Sequence, residues 1–260
     1  MTPDGGPPTV HVGDWTVSLV ELDALHAPLR WVLPHAPEEE LAWLPCHVLL
    51  CRRDDQIVLV DAGLGALDGF FDMTVRTTPL NEGLGWVGCS TDQVSTVLLT
   101  HFDPDHAGGV VVGDFPDRLA PALPNAQVVA LLQDGALADH AAAIVSALST
   151  AGATVAFVDD HTEIVPGLRL RSAPGHREGH AVVELADGDD RFVFLADTVH
   201  AREHVAHPEW DFLHDSEPAI GLETRQRLLQ ELSGSGTLVA CSHIGSFGRI
   251  EPGFFWVDVV

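Results

Sequence analysis

Four short segments carry the residue types that bind metal ions. The first is HFDPDH, His101 to His106, which follows the apolar run Thr96 to Leu99 and leads into Ala-Gly-Gly. On an extended backbone His101, Asp103 and Asp105 alternate onto one side, while Pro104 stiffens the turn and His106 opens the helix that follows. Three later segments repeat the pattern of an apolar strand with one ligand-type residue just past its end: LRLRSAPGH ending at His176, RFVFLAD ending at Asp197 and TLVACSH ending at His243. Ligand sites of layered α/β folds collect beyond the carboxyl ends of strands. A single His or Asp in such a place is more often a cap or a surface residue than a ligand. Four segments in one pattern, together offering four His and three Asp, favour a metal centre.

Other chemistry is excluded by composition. Among the 260 residues, 38 Asp and Glu face 13 cationic residues, all of them Arg, for a formal charge of -25. Lys and Tyr are both absent, which removes Schiff-base amines, the P-loop lysine and phenolic acids or nucleophiles. The acidity argues against nucleic acid or an anionic membrane as partner and leaves metal cations and a small-molecule substrate. Most of the bias reads as GC-rich codon usage. The N-terminus, MTPDGGPPTV, has neither a basic nor an apolar leader region, and no apolar run is long enough to span a bilayer, so a soluble, cytoplasmic protein is expected. Cys46, Cys51, Cys89 and Cys241 lack zinc-ligand spacing and read as small core residues.

The elements that must position these residues follow from periodicity. Val10 to Val20 and Cys46 to Asp61 read as antiparallel strands, the latter a hairpin about Arg53-Asp54-Asp55-Gln56. Leu22 to Pro45 is a Pro- and Trp-bearing connection. Further strand-like runs are Gln127 to Leu131, Thr154 to Val158, Leu168 to Ala173, Ala181 to Leu185, Arg191 to Leu195, Thr237 to Ala240 and Phe254 to Val259. Helical pattern covers Asp134 to Thr150 and Glu217 to Leu232. No linker or internal repeat interrupts the chain, so residues 1–260 read as a single α/β domain. The Gly-rich segment Gly63 to Gly88 is long for a connection, and such loops often wall a substrate site. Trp31, Trp43, Phe70, Phe71, Trp86 and Trp210 are the candidate wall residues.

The order HxxxDH, PGHxxGH, an Asp after an apolar strand and a late His resembles the metallo-β-lactamase superfamily over nearly the whole chain. VLVDAG at Val58 to Gly63 resembles the family's DTG strand end, and PGHREGH at Pro174 to His180 its PGHTPGH. The tail, from Asp197 through His200, Asp215 and Arg225 to His243 and Gly248-Arg249-Ile250, is similar to the branch of methyl-parathion hydrolases and acyl-homoserine lactonases. The resemblance implies an αββα sandwich, two mixed β-sheets flanked by helices, with two divalent ions about 3.5 to 4 Å apart around a bridging hydroxide. It assigns His101, Asp103 and His176 to one ion, Asp105, His106 and His243 to the other, and Asp197 to both. Asp61 and His180 would orient ligands, and Asp105 or His200 would pass a proton to the leaving group.

Asp103 departs from the family's HxHxDH, which has His in that place. A third carboxylate brings two divalent ions and a hydroxide to zero net charge, favouring Mn or Fe over Zn. The expected activity is hydrolysis of an ester, lactone or phosphotriester. A carboxylate at this position also resembles the family's oxygen-handling diiron members, which leaves a diiron oxygen-activating enzyme and a non-catalytic ligand-binding member as alternatives. The missing Tyr counts against the lactonase version, because some lactonases of the family hold a Tyr over the substrate carbonyl. A homodimer is left open as the assembly.

Overall fold

The apolar runs pair into two mixed β-sheets with helices on their outer faces. A computed structural model of the chain describes residues 5–67, 69, 73–114, 118–131, 137–153 and 155–260. In the first sheet β1 (Thr9–Val12), β2 (Trp15–Pro28), β3 (Leu41–Arg53) and β4 (Gln56–Val60) form an antiparallel meander, and a short β5 (Val75–Thr77) pairs with the far part of β2. β6 (Thr96–Leu99) adds parallel to β4. A side hairpin of β7 (Val111–Asp114) and β8 (Arg118–Pro121) precedes β9 (Gln127–Leu131) and β10 (Val155–Val158), which extend the sheet in parallel.

The second sheet takes its strands in chain order: β11 (Glu163–Val165), β12 (Leu168–Ser172), β13 (Ala181–Asp187), β14 (Asp190–Phe194), β15 (Leu238–Cys241), β16 (Ile244–Glu251) and β17 (Phe255–Asp258). β14 and β15 are its parallel pair. The helices are α1 (Leu80–Trp86), α2 (Pro104–Ala107), α3 (Asp139–Thr150), α4 (Arg202–Ala206) and α5 (Pro218–Leu232).

Period-two alternation sorts the side chains into layers. On β3, Leu49 and Cys51 face the interior between the sheets while Val48 and Leu50 face α1 and α3. On β14, Phe192 and Phe194 enter the same interior while Val193 packs toward α5, whose Leu228, Leu229 and Leu232 cover that sheet's outer face. Trp15 and Phe247 complete the inter-sheet layer, both fully buried. The result is the αββα sandwich that the sequence implies.

Several expected boundaries move. The run Val10 to Val20 is broken at Gly13 and Asp14, where a turn makes it a hairpin of β1 and β2. β2 and β3 continue deep into Leu22 to Pro45, leaving residues 29–40 as the connection. Pro28 and Pro45 lie within these strands, and across a register shift between Glu21 and Asp23 the two run on as a ribbon, largely buried on the β2 side and half-exposed on the β3 side. The second half of Gly63 to Gly88 is likewise regular, forming β5 and α1.

Candidate metal centre

β6 ends at Leu99, and the next residues turn across the strand ends. Asp103 takes the position before α2 with Pro104 opening the helix, but its carboxylate caps no backbone N–H. His101, Asp105 and His106 follow from that short turn and helix. The following glycines are fixed by close approach: a Cβ at Gly108 or Gly109 would lie 1.9 Å from the carbonyl oxygens of Leu64 or Ala62. His176 comes from the loop after β12, Asp197 from a turn after β14, and His243 from the turn between β15 and β16.

Asp197 is the hub. His106 Nε2 lies 3.3 Å from its Oδ1, and the Nε2 atoms of His176, His200 and His243 each lie 3.4 Å from its Oδ2. His101 Nε2 stands 3.8 Å, and His176 Nε2 3.6 Å, from Asp103 Oδ2. The donor atoms gather into sets of three within 4.8 Å: His101, Asp103 and His176; His101, His106 and Asp197; Asp105, His106 and His243; His176, Asp197 and His200.

These donors fit divalent cations. The Nε2 atoms of His101, His106 and His176, both ring nitrogens of His200 and Asp197 Oδ1 are buried without a hydrogen-bond partner. A buried polar atom without a partner is costly, so a cluster of them in one place calls for a charged occupant. The opposite ring nitrogens are held by acceptors: His106 Nδ1 by Asp61 Oδ2 at 2.8 Å, His176 Nδ1 by Asp215 Oδ1 at 3.0 Å and His243 Nδ1 by the Pro45 carbonyl at 2.7 Å. That sets Nδ1–H tautomers and turns the Nε2 lone pairs toward the centre, the usual support of a metal-binding imidazole.

Asp61 is buried at φ +59° and accepts from Thr100 N at 2.8 Å and from the Thr100 hydroxyl as well as from His106. His180 donates Nδ1–H to Ala173 O at 2.7 Å and accepts the Asp197 amide on Nε2 at 3.3 Å. Both its nitrogens are taken, so it braces the Asp197 turn and offers nothing to a metal. Burial, reinforced by His176, lowers its pKa to about 4 and keeps it neutral.

The cluster attracts positive charge. Burial opposes protonation of His106, yet Asp197, Asp105 and Asp61 raise its pKa well above 6.5. His176, against the same burial, is raised to about 9 by Asp103, Asp215 and Asp197. Burial alone would push Asp197 up, but His106 and His243 hold its carboxyl well below the ordinary range.

Arg177 alters the charge count inferred from Asp103. Its Nε and Nη2 meet Asp103 Oδ1 and Oδ2, each at 2.8 Å, so one guanidinium engages both oxygens. The added negative charge is thereby offset within the site. The signal was present in the sequence as a paired departure: Asp for His at 103 and Arg inside PGHREGH at 177.

A cavity of about 240 Å³ opens over the cluster. Leu25, Trp31, Leu44, Met73 and Phe212 form its apolar side, and Asp103, Asp105, Arg177, His200 and His214 stand with the cluster on the polar side. Trp31 packs edge-on against His214, with ring centroids 4.4 Å apart. Three other aromatic positions expected as walls, Trp43, Trp86 and Trp210, do not line it. Trp43 points outward, stacked on His26 and covered by the Arg76 guanidinium, because its exposed face of β3 lies beyond the sandwich. Trp86 lines a separate cavity with His47 and Glu21. Trp210 stacks on His207 and meets His35 edge-on at 5.4 Å, tying the loop after Asp197 to residues 29–40. Phe70 and Phe71 lie outside the described residues. Met73 comes from the Gly63 to Gly88 segment expected to wall the site, whereas Leu25 and Leu44, in the Leu22 to Pro45 connection, carried no individual signal as wall residues.

Two residues without an assigned role support this arrangement. Asp215 holds His176, and buried Arg225 on α5 donates to the carbonyls of Pro208, Thr198 and Trp210, fastening the loop that follows Asp197.

Known proteins share this framework. A probable metallo-hydrolase of Mycobacterium tuberculosis is 40% identical over a segment covering 28% of this chain and 27% of that protein, as is its counterpart in Mycobacterium bovis. The matched segment therefore spans about a quarter of those relatives. The structure of AidC, a dizinc quorum-quenching lactonase in complex with a product, superposes with a TM-score of 0.81 at 20% identity, covering 98% of both chains. The hydrolase AbOPH of the β-lactamase superfamily gives 0.79 at 19% identity, again over 98% of both. At such identities the likeness is one of fold. The family model of the metallo-beta-lactamase superfamily matches residues 41–243, most of the chain and all four ligand-bearing segments, and the protein belongs to that superfamily.

Proposed function

We propose that the protein is a dinuclear metallohydrolase that cleaves an uncharged ester, lactone or phosphotriester. The observation that carries this reading is the ring of buried, unpartnered imidazole nitrogens about Asp197 at the floor of a partly apolar cavity. Divalent cations held there by these residues would supply Lewis acidity and lower the pKa of water toward neutrality.

The chain's own residues do the rest. Asp61, Asp215 and Pro45 O fix the imidazole tautomers, so the donor set needs no rearrangement when substrate arrives. Asp105 lies on the cavity side, close to His106 Nε2 at 3.7 Å, where its Oδ2 can take a proton and return it to a leaving group. Leu25, Trp31, Leu44, Met73 and Phe212 hold an apolar acyl, aryl or alkyl portion and exclude water from that side. Carboxylates about the centre and a net charge of -25 disfavour anionic substrates and leave neutral electrophiles. AidC, a lactonase seen in complex with a homoserine product, adds lactones to the panel worth testing. The oxygen-activating alternative rests on a carboxylate at 103, and the ion pair of that carboxylate with Arg177 favours the hydrolytic reading over it.

Chelator-treated protein, reloaded separately with Zn, Mn or Fe, is to be assayed on aryl esters, lactones and phosphotriesters with oxygen uptake followed in parallel. Cleavage of at least one class that vanishes with chelator and returns with metal, without oxygen uptake, is the expected result. Full metal loading with no turnover on the panel, or uptake of oxygen, would overturn the reading.

A further inference from the structure

Arg177 and Asp103 form a closed unit. Nε and Nη2 of Arg177 sit on the two oxygens of Asp103, each at 2.8 Å. Its Nη1 donates to the His176 carbonyl at 2.8 Å and also to the carbonyl of His214. The planar fork is therefore anchored at both ends, and a full positive charge lies against both carboxylate oxygens. A cation seeking Asp103 would have to displace this charge or share the oxygens with it.

His200 presents the opposite situation. It is buried, neither of its ring nitrogens has a hydrogen-bond partner, and its ring lies flat on Phe212 with centroids 3.6 Å apart. Its Nε2 and that of His176 both stand 3.4 Å from Asp197 Oδ2. Four-coordinate sites with bonds of about 2.0–2.1 Å separate their donors by about 3.3–3.4 Å, the tetrahedral edge. Asp103 Oδ2 is farther from its neighbours, at 3.6 Å from His176 Nε2 and 3.8 Å from His101 Nε2.

We infer that His200, with His176 and Asp197, completes the cation site on this side of the cluster, and that Arg177 withdraws Asp103 from it. The inference rests on the metal-dependent reading above and changes its ligand set: the nitrogen missing at position 103 is supplied from position 200. His200 then has its lone pair engaged and is not the proton donor.

The test is zinc bound per full-length chain, by elemental analysis after equilibration in a zinc buffer that saturates the wild type, with circular dichroism confirming fold. Two equivalents are expected for the wild type and for Asp103→Asn/Arg177→Gln, which removes both charges together. His200→Ala should lose one equivalent, or bind it at least tenfold more weakly. Loss of an equivalent in the double variant, or full retention in His200→Ala, would overturn the inference. Because His200→Ala could fail to fold, ¹⁵N NMR of wild-type histidines gives a second readout: zinc should move the His200 Nε2 resonance, and an unmoved resonance contradicts the assignment. A wild-type chain that binds no zinc, manganese or iron would instead sink the metal-dependent reading on which this rests.

Discussion

Asp61 illustrates how a residue that touches no substrate can govern the centre. Its backbone is held at φ +59°, a conformation that costs a non-glycine residue about 1–3 kcal/mol, and the return is a carboxylate that serves Thr100 and His106 at once. In Asp61→Asn, the amide oxygen must still accept the Thr100 N–H, which puts the NH₂ opposite His106 Nδ1. That imidazole would turn to its Nε2–H tautomer and lose its lone pair toward the centre. Zinc affinity, measured by chelator competition, should fall by roughly 10–100-fold; an unchanged affinity would remove Asp61 from the ligand-orienting role. At this scale the sequence was most informative where several residues shared one pattern. HFDPDH and PGHREGH announced their cluster, whereas Leu25 and Leu44 carried no signal of their own because a pocket wall and a core share the same side chains.

The elements convert that pattern into geometry. β6, β12, β14 and β15 end at one rim of the sandwich, and each releases the chain into a turn bearing one or more donors. Their inward residues, not the ligands, hold the rim together. Phe192 on β14 packs against Phe247 on β16, with centroids 5.8 Å apart, in the layer between the sheets. Phe192→Ala should cost about 3–5 kcal/mol in chemical denaturation, the usual range for emptying a buried phenylalanine site. A loss below 1 kcal/mol would mean that this layer carries little of the stability. Strand cores were legible because alternation survives wherever both faces are buried differently. The ribbon ends of β2 and β3 were not, since β2 is buried on both faces there and shows no alternation, β3 is half exposed, and Pro28 and Pro45 mask the pairing.

Over the whole molecule, acidity and site work together. Many of the 38 acidic residues lie on the surface, where they raise the local concentration of cations, while Asp105 and Asp197 stand in donor groups that could hold one. Arg177 and Arg225, two of only 13 cations, are both committed to the loops that frame the cavity. The family was readable because its motifs span the chain; the cavity was not, because it is closed by long-range pairs such as Trp31 with His214 and Trp210 with His35. Among the described residues no helix is long and apolar enough to cross a membrane. The central claim is that Asp197 gathers both cations. It is tested most directly by counting the metal bound to wild type and to Asp197→Ala at the same buffered zinc activity: two equivalents against one or none is the predicted outcome, and two equivalents in both would contradict it.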